Sequence, residues 1–165
     1  MAVGPGFESF YAASHDRLVG QLFAILGDLH EAEDVVQEAF ARACFRWSSI
    51  CTYDAPEAWV RRVALNRATS NLRRSRRRLR SLARMGPPPD VPAATADRVD
   101  VHRAMARLGI RHREVLVLRY VAGLPIDEVG RELGLPAGTV KSRLARARTA
   151  LAQELGAHQE AGNAR

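Results

Sequence analysis

The chain has 165 residues, 47% hydrophobic but only 6% aromatic, with a formal net charge of +7 and a pI near 10.6. That length holds one ordinary domain or two small ones. No apolar run approaches the ~20 residues of a membrane span, so a soluble cytoplasmic protein without membrane insertion is expected.

The basic balance favours a polyanionic partner, nucleic acid being the commonest, although a merely soluble basic protein would carry the same total. Lys141 is the only lysine; the rest of the positive charge is arginine. Its planar fork grips phosphate or guanine with two hydrogen bonds, and a GC-rich genome would enrich it equally well. Cys44 and Cys51 form no CxxC pair and have no histidines at ligand spacing, so neither a metal nor another cofactor is expected. Cys44 reads as a small apolar core residue.

Apolar residues recur at helical spacing from the start of the chain. Phe7, Phe10, Tyr11, Leu18, Val19, Leu22, Phe23 and Leu26 form one stripe, which breaks at Gly27-Asp28. Ala32, Val35, Val36, Ala39, Phe40, Ala43 and Trp47 form a second. A polar loop is expected over 48–54, then a helix that starts at Pro56, where a missing N–H costs nothing, and ends near Arg80. The run Met-Gly-Pro-Pro-Pro-Asp-Val-Pro at 85–92 cannot be helical and reads as an extended linker. Beyond it, Asp97–Leu108 and Arg111–Val121 are predicted helices. Two shorter ones follow, separated by Gly134-Leu135-Pro136. The expected fold class is all-α, two small helical bundles joined by a proline-rich linker. The domains are read as 1–80 and 97–155, with the linker at 81–96 and a flexible tail at 156–165.

Charge is uneven along the first bundle. Phe7 to Trp47 holds seven acids against three arginines, a net of −4, whereas Pro56 to Arg84 holds ten arginines and one acid, a net of +9. A generic solvated surface would mix the signs, so two different macromolecular partners are expected.

The segment from Pro125 to Leu151 has the mechanics of a helix-turn-helix. Ile126, Val129 and Leu133 are the apolar side of a short helix, and Gly134 can adopt the left-handed conformation that ends it. Val140, Leu144, Ala147 and Leu151 are the apolar back of the next helix. Its front carries Thr139, Lys141, Ser142, Arg143, Arg146 and Arg148, the guanidinium, ammonium and hydroxyl groups that base edges and phosphates require. A solvated amphipathic helix would have the same spacing but no need of the glycine turn. Gly130, where alanine is usual, allows close packing but weakens its helix by ~1 kcal/mol, and Pro136 fixes the backbone but forgoes a side-chain cap.

Arg113-Glu-Val-Leu-Val-Leu-Arg-Tyr120 with Gly134-Leu-Pro-Ala-Gly-Thr-Val-Lys-Ser-Arg-Leu-Ala-Arg-Ala-Arg148 resembles region 4 of the extracytoplasmic-function (ECF) sigma factors. Ala32-Glu-Asp-Val-Val-Gln-Glu-Ala-Phe40 and Ala64-Leu-Asn-Arg-Ala68 resemble region 2 of the same family. The resemblance covers about residues 7–80 and 97–155, and the order of the motifs makes it specific. It implies a sigma factor that directs core RNA polymerase to promoters, with no catalytic residue of its own. Leu108-Gly109 stands where many members have Leu-Pro, which implies a looser turn there.

The resemblance implies residue roles as well. Region 4 would read the −35 element through the front residues named above. Asp34, Gln37 and Glu38 would dock on the clamp of the largest polymerase subunit, and the second-largest subunit would offer its flap. Read from the residues alone, that surface is a solvated face with one Glu38–Arg42 pair. Arg62, Asn66, Ser70, Arg73 and Arg74 would meet the −10 element, the Arg73–Arg80 cluster as a phosphate-binding tail. Tyr53 would capture an unpaired base, or else pack on Trp59. Promoter DNA and an anti-sigma factor complete the implied partners, and the holoenzyme would be nucleoid-associated. A two-domain regulator would need an effector or phosphoacceptor domain, of which the first half has no βαβ sign. A DNA-modifying enzyme would need a nucleophile with a placed base, and Ser14, Ser48 and Ser70 lack one.

Overall fold

The computed structural model describes the backbone of residues 6–81 and 96–163, and the side chains of residues 6–71 and 101–156. The chain divides into two compact units, Met1–Pro87 and Pro88–Arg165. No strand occurs among the described residues. Residues 82–95, which carry the expected proline linker, lie outside them.

Unit 1 contains α1 (Phe7–Leu26), α2 (Leu29–Phe45), α3 (Trp47–Ile50) and α4 (Pro56–Ser81). Gly27 ends α1 with φ at 79°, its N–H bonded to the Phe23 carbonyl at 2.7 Å. The next residue starts α2, because the Asp28 carboxylate accepts the Glu31 N–H at 3.0 Å. This back-to-back cap folds the two helices into an antiparallel hairpin. Half of the chain's ten aromatics gather at its open end. Phe7, Phe10 and Tyr11 meet Phe40 and Trp47 with ring centroids 4.8 to 6.4 Å apart, within the range where tilted rings attract.

All seven residues of the second stripe are buried, as are Leu18, Leu22 and Ile25 of α1 and Val60, Ala64, Leu65 and Ala68 of α4. Two expectations change here. The loop over 48–54 opens with a helical turn, since Trp47 and Ile50, three apart, both reach the core. Cys44 is only half-buried, because it lies off the apolar stripe of α2. A polar clamp completes the unit. Arg61 is 5% exposed and donates to the Gln21 side chain at 3.1 Å. It also approaches Glu57 at 3.5 Å, and Glu57 accepts from Arg17 at 3.1 Å. A buried cation with one partner removed would cost roughly 3–5 kcal/mol, so this network pins α1 to α4.

Unit 2 contains α5 (Ala96–Arg107), α6 (Ile110–Leu116), a π-helical turn (Val117–Val121), α7 (Ile126–Leu133) and α8 (Ala137–Asn163). The Leu108-Gly109 turn is not loose. Gly109 has φ −63° and ψ 144°, a backbone that proline would also accept, and its carbonyl takes the N–H groups of His112 and Arg113 at 2.9 and 3.2 Å. Residues 114–118 are buried in succession, the mark of a helix surrounded by neighbours. The expected helix over Arg111–Val121 does not end as an α-helix. Its last turn widens, with the Ala122 N–H bonded to the Val117 carbonyl at 2.9 Å. Arg119 then braces the following loop by donating to the Leu124 carbonyl at 3.0 Å.

The last helix is not short. Val140, Leu144 and Ala147 are buried and Leu151 is half-buried, so one unbroken stripe packs α8 against α5, α6 and α7. Arg107 of α5 reaches Glu154 at 3.4 Å, and α8 runs past Leu155, where the domain was expected to end. Gly134 adopts φ +65° as its role requires. Gly130 allows the close packing expected of it: a Cβ there would stand 2.7 Å from the Leu135 carbonyl oxygen.

Two outcomes follow for unit 2. Gly130→Ala, which should stabilise an isolated helix by ~1 kcal/mol, is expected to lower its stability in urea unfolding; a net gain would contradict the close approach. His102 titrates below its ordinary value, through burial first and the Arg113 charge second. The unfolded chain therefore binds its proton before the folded one does. Stability contributed by neutral His102 is full above the ordinary value of 6.5 and is lost as pH falls from there through the lower folded value. Thermal unfolding followed across that range should weaken with acid, and His102→Gln should flatten the dependence.

Candidate nucleic-acid interface

The first half of α8 presents its charge on the side away from the core. Lys141, Ser142, Arg146 and Arg148 are exposed, with Thr139 and Arg143 half-buried at the edge. Behind them Val140, Leu144 and Ala147 are closed off from solvent. Ser142 donates to the Thr139 carbonyl at 3.0 Å, which leaves its oxygen as an acceptor toward solvent. The Leu135 N–H bonds back to the Gly130 carbonyl at 2.8 Å, so α7 and the three-residue turn hold the start of α8 in place. A rigid helix with an apolar back and a cationic front can enter the major groove.

On α4, Arg62, Asn66 and Ser70 are exposed and four residues apart, hence on one face. Ser70 donates to the Asn66 carbonyl at 2.9 Å. Arg73 and Arg74 continue α4 in the backbone, but their side chains lie outside the described residues. Tyr53 follows α3, its side chain 49% exposed, within reach of solvent-borne partners. Trp59 instead lines a shallow cavity of about 350 Å³ together with Arg42, Phe45, Arg46 and Val63.

Asp34 and Gln37 are exposed on α2, and Gln37 accepts the Tyr11 hydroxyl at 3.2 Å. Glu38 is different. One carboxylate oxygen takes Arg42 at 2.6 Å and the other takes Arg67 of α4 at 2.7 Å. Its charge is already neutralised within the unit. Glu31, on the same helix, titrates above its ordinary value through burial first and Asp28 second, partly offset by a hydrogen bond from Asn71.

Sequence reading singled out neither Arg67 nor Phe45. Arg67 faces a carboxylate far along the chain, for which no local pattern exists. Phe45 is 73% exposed, and its signal was available: it is an aromatic residue that falls outside the apolar stripe of α2. Tyr120 and Val121, also exposed, are turned outward at the π-helical turn, which periodicity cannot foresee. Among the described residues no cluster of histidine, cysteine, aspartate or glutamate could hold a metal.

The chain matches Sigma-70 region 2 over residues 10–78 and Sigma-70 region 4 over residues 98–151. It is 32% identical to the RNA polymerase sigma-E factor of Streptomyces coelicolor over 153 residues, covering 90% of this chain and 85% of the relative. It is 37% identical to the ECF RNA polymerase sigma factor SigL of Mycobacterium tuberculosis over 142 residues, 80% of each chain. In fold it is similar to the sigma factor RpoE from Bartonella quintana, solved with the anti-sigma factor NepR, with a TM-score of 0.79 at 23% identity, covering 91% and 96% of the two chains. The helix-turn-helix and the α2–α4 pair thus fall in the two regions by which such proteins are defined, and the chain belongs to the extracytoplasmic-function subfamily of sigma-70 factors, initiation subunits that bind core RNA polymerase and direct it to promoters.

Proposed function

We propose that the two units divide promoter reading between them. Unit 2 takes the −35 element, with Thr139, Lys141, Ser142, Arg143, Arg146 and Arg148 in the major groove and along its phosphates. Unit 1 takes the −10 element, with Arg62, Asn66 and Ser70 on the strand, Arg73 and Arg74 on its phosphates, and Tyr53 stacked on an unpaired base. Asp34 and Gln37 dock on the clamp of the largest polymerase subunit, with Glu38 joining them once its internal partners are displaced. The second-largest subunit holds unit 2 through its flap. Residues 81–96 join the two halves, so that each weak contact raises the effective concentration of the other. An anti-sigma factor is a third partner class, drawn from the family rather than from a particular residue, and would act by covering the α2 face. No described helix is long and apolar enough to cross a membrane, and the holoenzyme works at the nucleoid.

The observation that carries this reading is the division of α8 between a closed apolar back and an exposed cationic front. The test is run-off transcription from genomic fragments with core polymerase. Lys141→Ala combined with Arg143→Ala and Arg146→Ala should cut promoter-specific transcripts at least about tenfold, since each base contact is worth ~1–3 kcal/mol. Core binding should be unchanged, and undiminished transcripts would refute the −35 assignment.

The docking face has its own test. Asp34→Arg removes an exposed charge with no internal partner among the ion pairs described, so the melting temperature should hold while core affinity drops by an order of magnitude or more. Retained core binding would move the docking site elsewhere. Reversal at Glu38 is a poorer probe, because it would also break two ion pairs within the unit.

A further inference from the structure

The seam between α2 and α4 pairs residues in opposite order along the two helices. Glu31 receives a hydrogen bond from Asn71, Glu38 meets Arg67, and Phe45 shares a cavity wall with Val63. Arg67 therefore belongs to the stripe of α4 that runs along α2. It stands one residue from Asn66 and borders the exposed face of Arg62, Asn66 and Ser70. Its side chain is 38% exposed, against 36% for Glu38. Both groups are at the surface, and both are engaged with each other.

An ion pair in that setting is weak, because water screens it and two long side chains lose freedom to form it. Either group can exchange its partner for a better one. The natural replacement for Arg67 is a phosphate oxygen of nucleic acid lying along α4; the natural replacement for Glu38 is a cation on a protein docked on α2. The two exchanges assist each other, since a cation that captures Glu38 releases Arg67 toward phosphate, and a phosphate that captures Arg67 releases Glu38. Linkage makes the coupling reciprocal.

We infer that Arg67 is a further DNA-phosphate contact, held back by Glu38 in the free protein and released when core polymerase docks on α2. The inference rests on the docking and −10 assignments proposed above, and it adds a residue and a switch to them. Arg42 also binds Glu38 and lines the cavity beside Trp59 and Val63, so a variant lacking it separates its own release from that of Arg67.

The salt dependence of binding to a short duplex of arbitrary sequence reads the number of phosphate contacts, each adding about 0.9 to the slope of log K against log salt. In the free protein Arg67→Gln should lower the slope much less than in the holoenzyme, where the same change should lower it by about 0.9. Glu38→Gln in the free protein should steepen the slope by about 0.9. That gain should vanish in Glu38→Gln/Arg67→Gln and persist in Glu38→Gln/Arg42→Gln. A slope lowered equally in both forms by Arg67→Gln, or changed in neither, overturns the inference. So does a Glu38→Gln gain that disappears with Arg42. The free-protein measurements need no polymerase, and Asp34→Arg tests docking separately, so loss of the latch and loss of the docking assignment give different results.

Discussion

Small side chains on the buried side of α2 govern how unit 1 is built. Ala32, Ala39 and Ala43 are fully closed off, with Val36 beside them, and none projects far from the helix axis. Close approach follows, and dispersion between well-packed surfaces rewards it. It brings α1 to one side of α2 and α4 to another. With α4 that near, its residues at 63, 67 and 71 meet the polar edge of α2 directly. The ion pair of Glu38 with Arg67, the hydrogen bond to Glu31 and the cavity beside Phe45 are all consequences of that spacing.

The same packing redistributes the charge that composition advertises. The stretch from Pro56 to Arg84 is strongly basic on paper, yet among its described residues two arginines are committed inside the unit. Arg61 is buried against Gln21 and Glu57, and Arg67 is paired to Glu38. The acidic face of α2 is likewise smaller than its carboxylates suggest. A sum over sequence therefore overstates both surfaces. Among the described residues, the exposed polar groups on these two faces are Arg62, Asn66 and Ser70 of α4 and Glu33, Asp34 and Gln37 of α2.

Much of the fold was legible because it is local. Periodicity of 3.6 identified the stripes of α2 and α8 and half of that of α1, where Ile25 is buried and Phe10, Tyr11, Phe23 and Leu26 are half-buried, and the glycine at 134 marked a turn that needs a positive φ. The front of α8 was legible for the same reason, since a buried stripe leaves its complement exposed. Other features had no local sign. A π-helical turn shifts the register by one residue without any distinctive spacing, and it turned Tyr120 and Val121 outward. The turn at Trp47–Ile50 looked like loop because its neighbours are polar, although its two apolar residues complete the core. Gly130 was legible as a glycine that allows close packing, but its partner, the Leu135 carbonyl standing where a methyl group would be, had no local sign.

Sequence alone determined the order of the helices, their apolar backs and the chemical character of their fronts, because each depends on residues within a turn or two of one another. Only the tertiary structure decided which charges remain available. The pairs that settle this question join residues far apart, 40 positions for Arg17 with Glu57 and for Arg61 with Gln21. Whether two such groups meet is set by how the helices pack. Spacing along the chain carries no record of it.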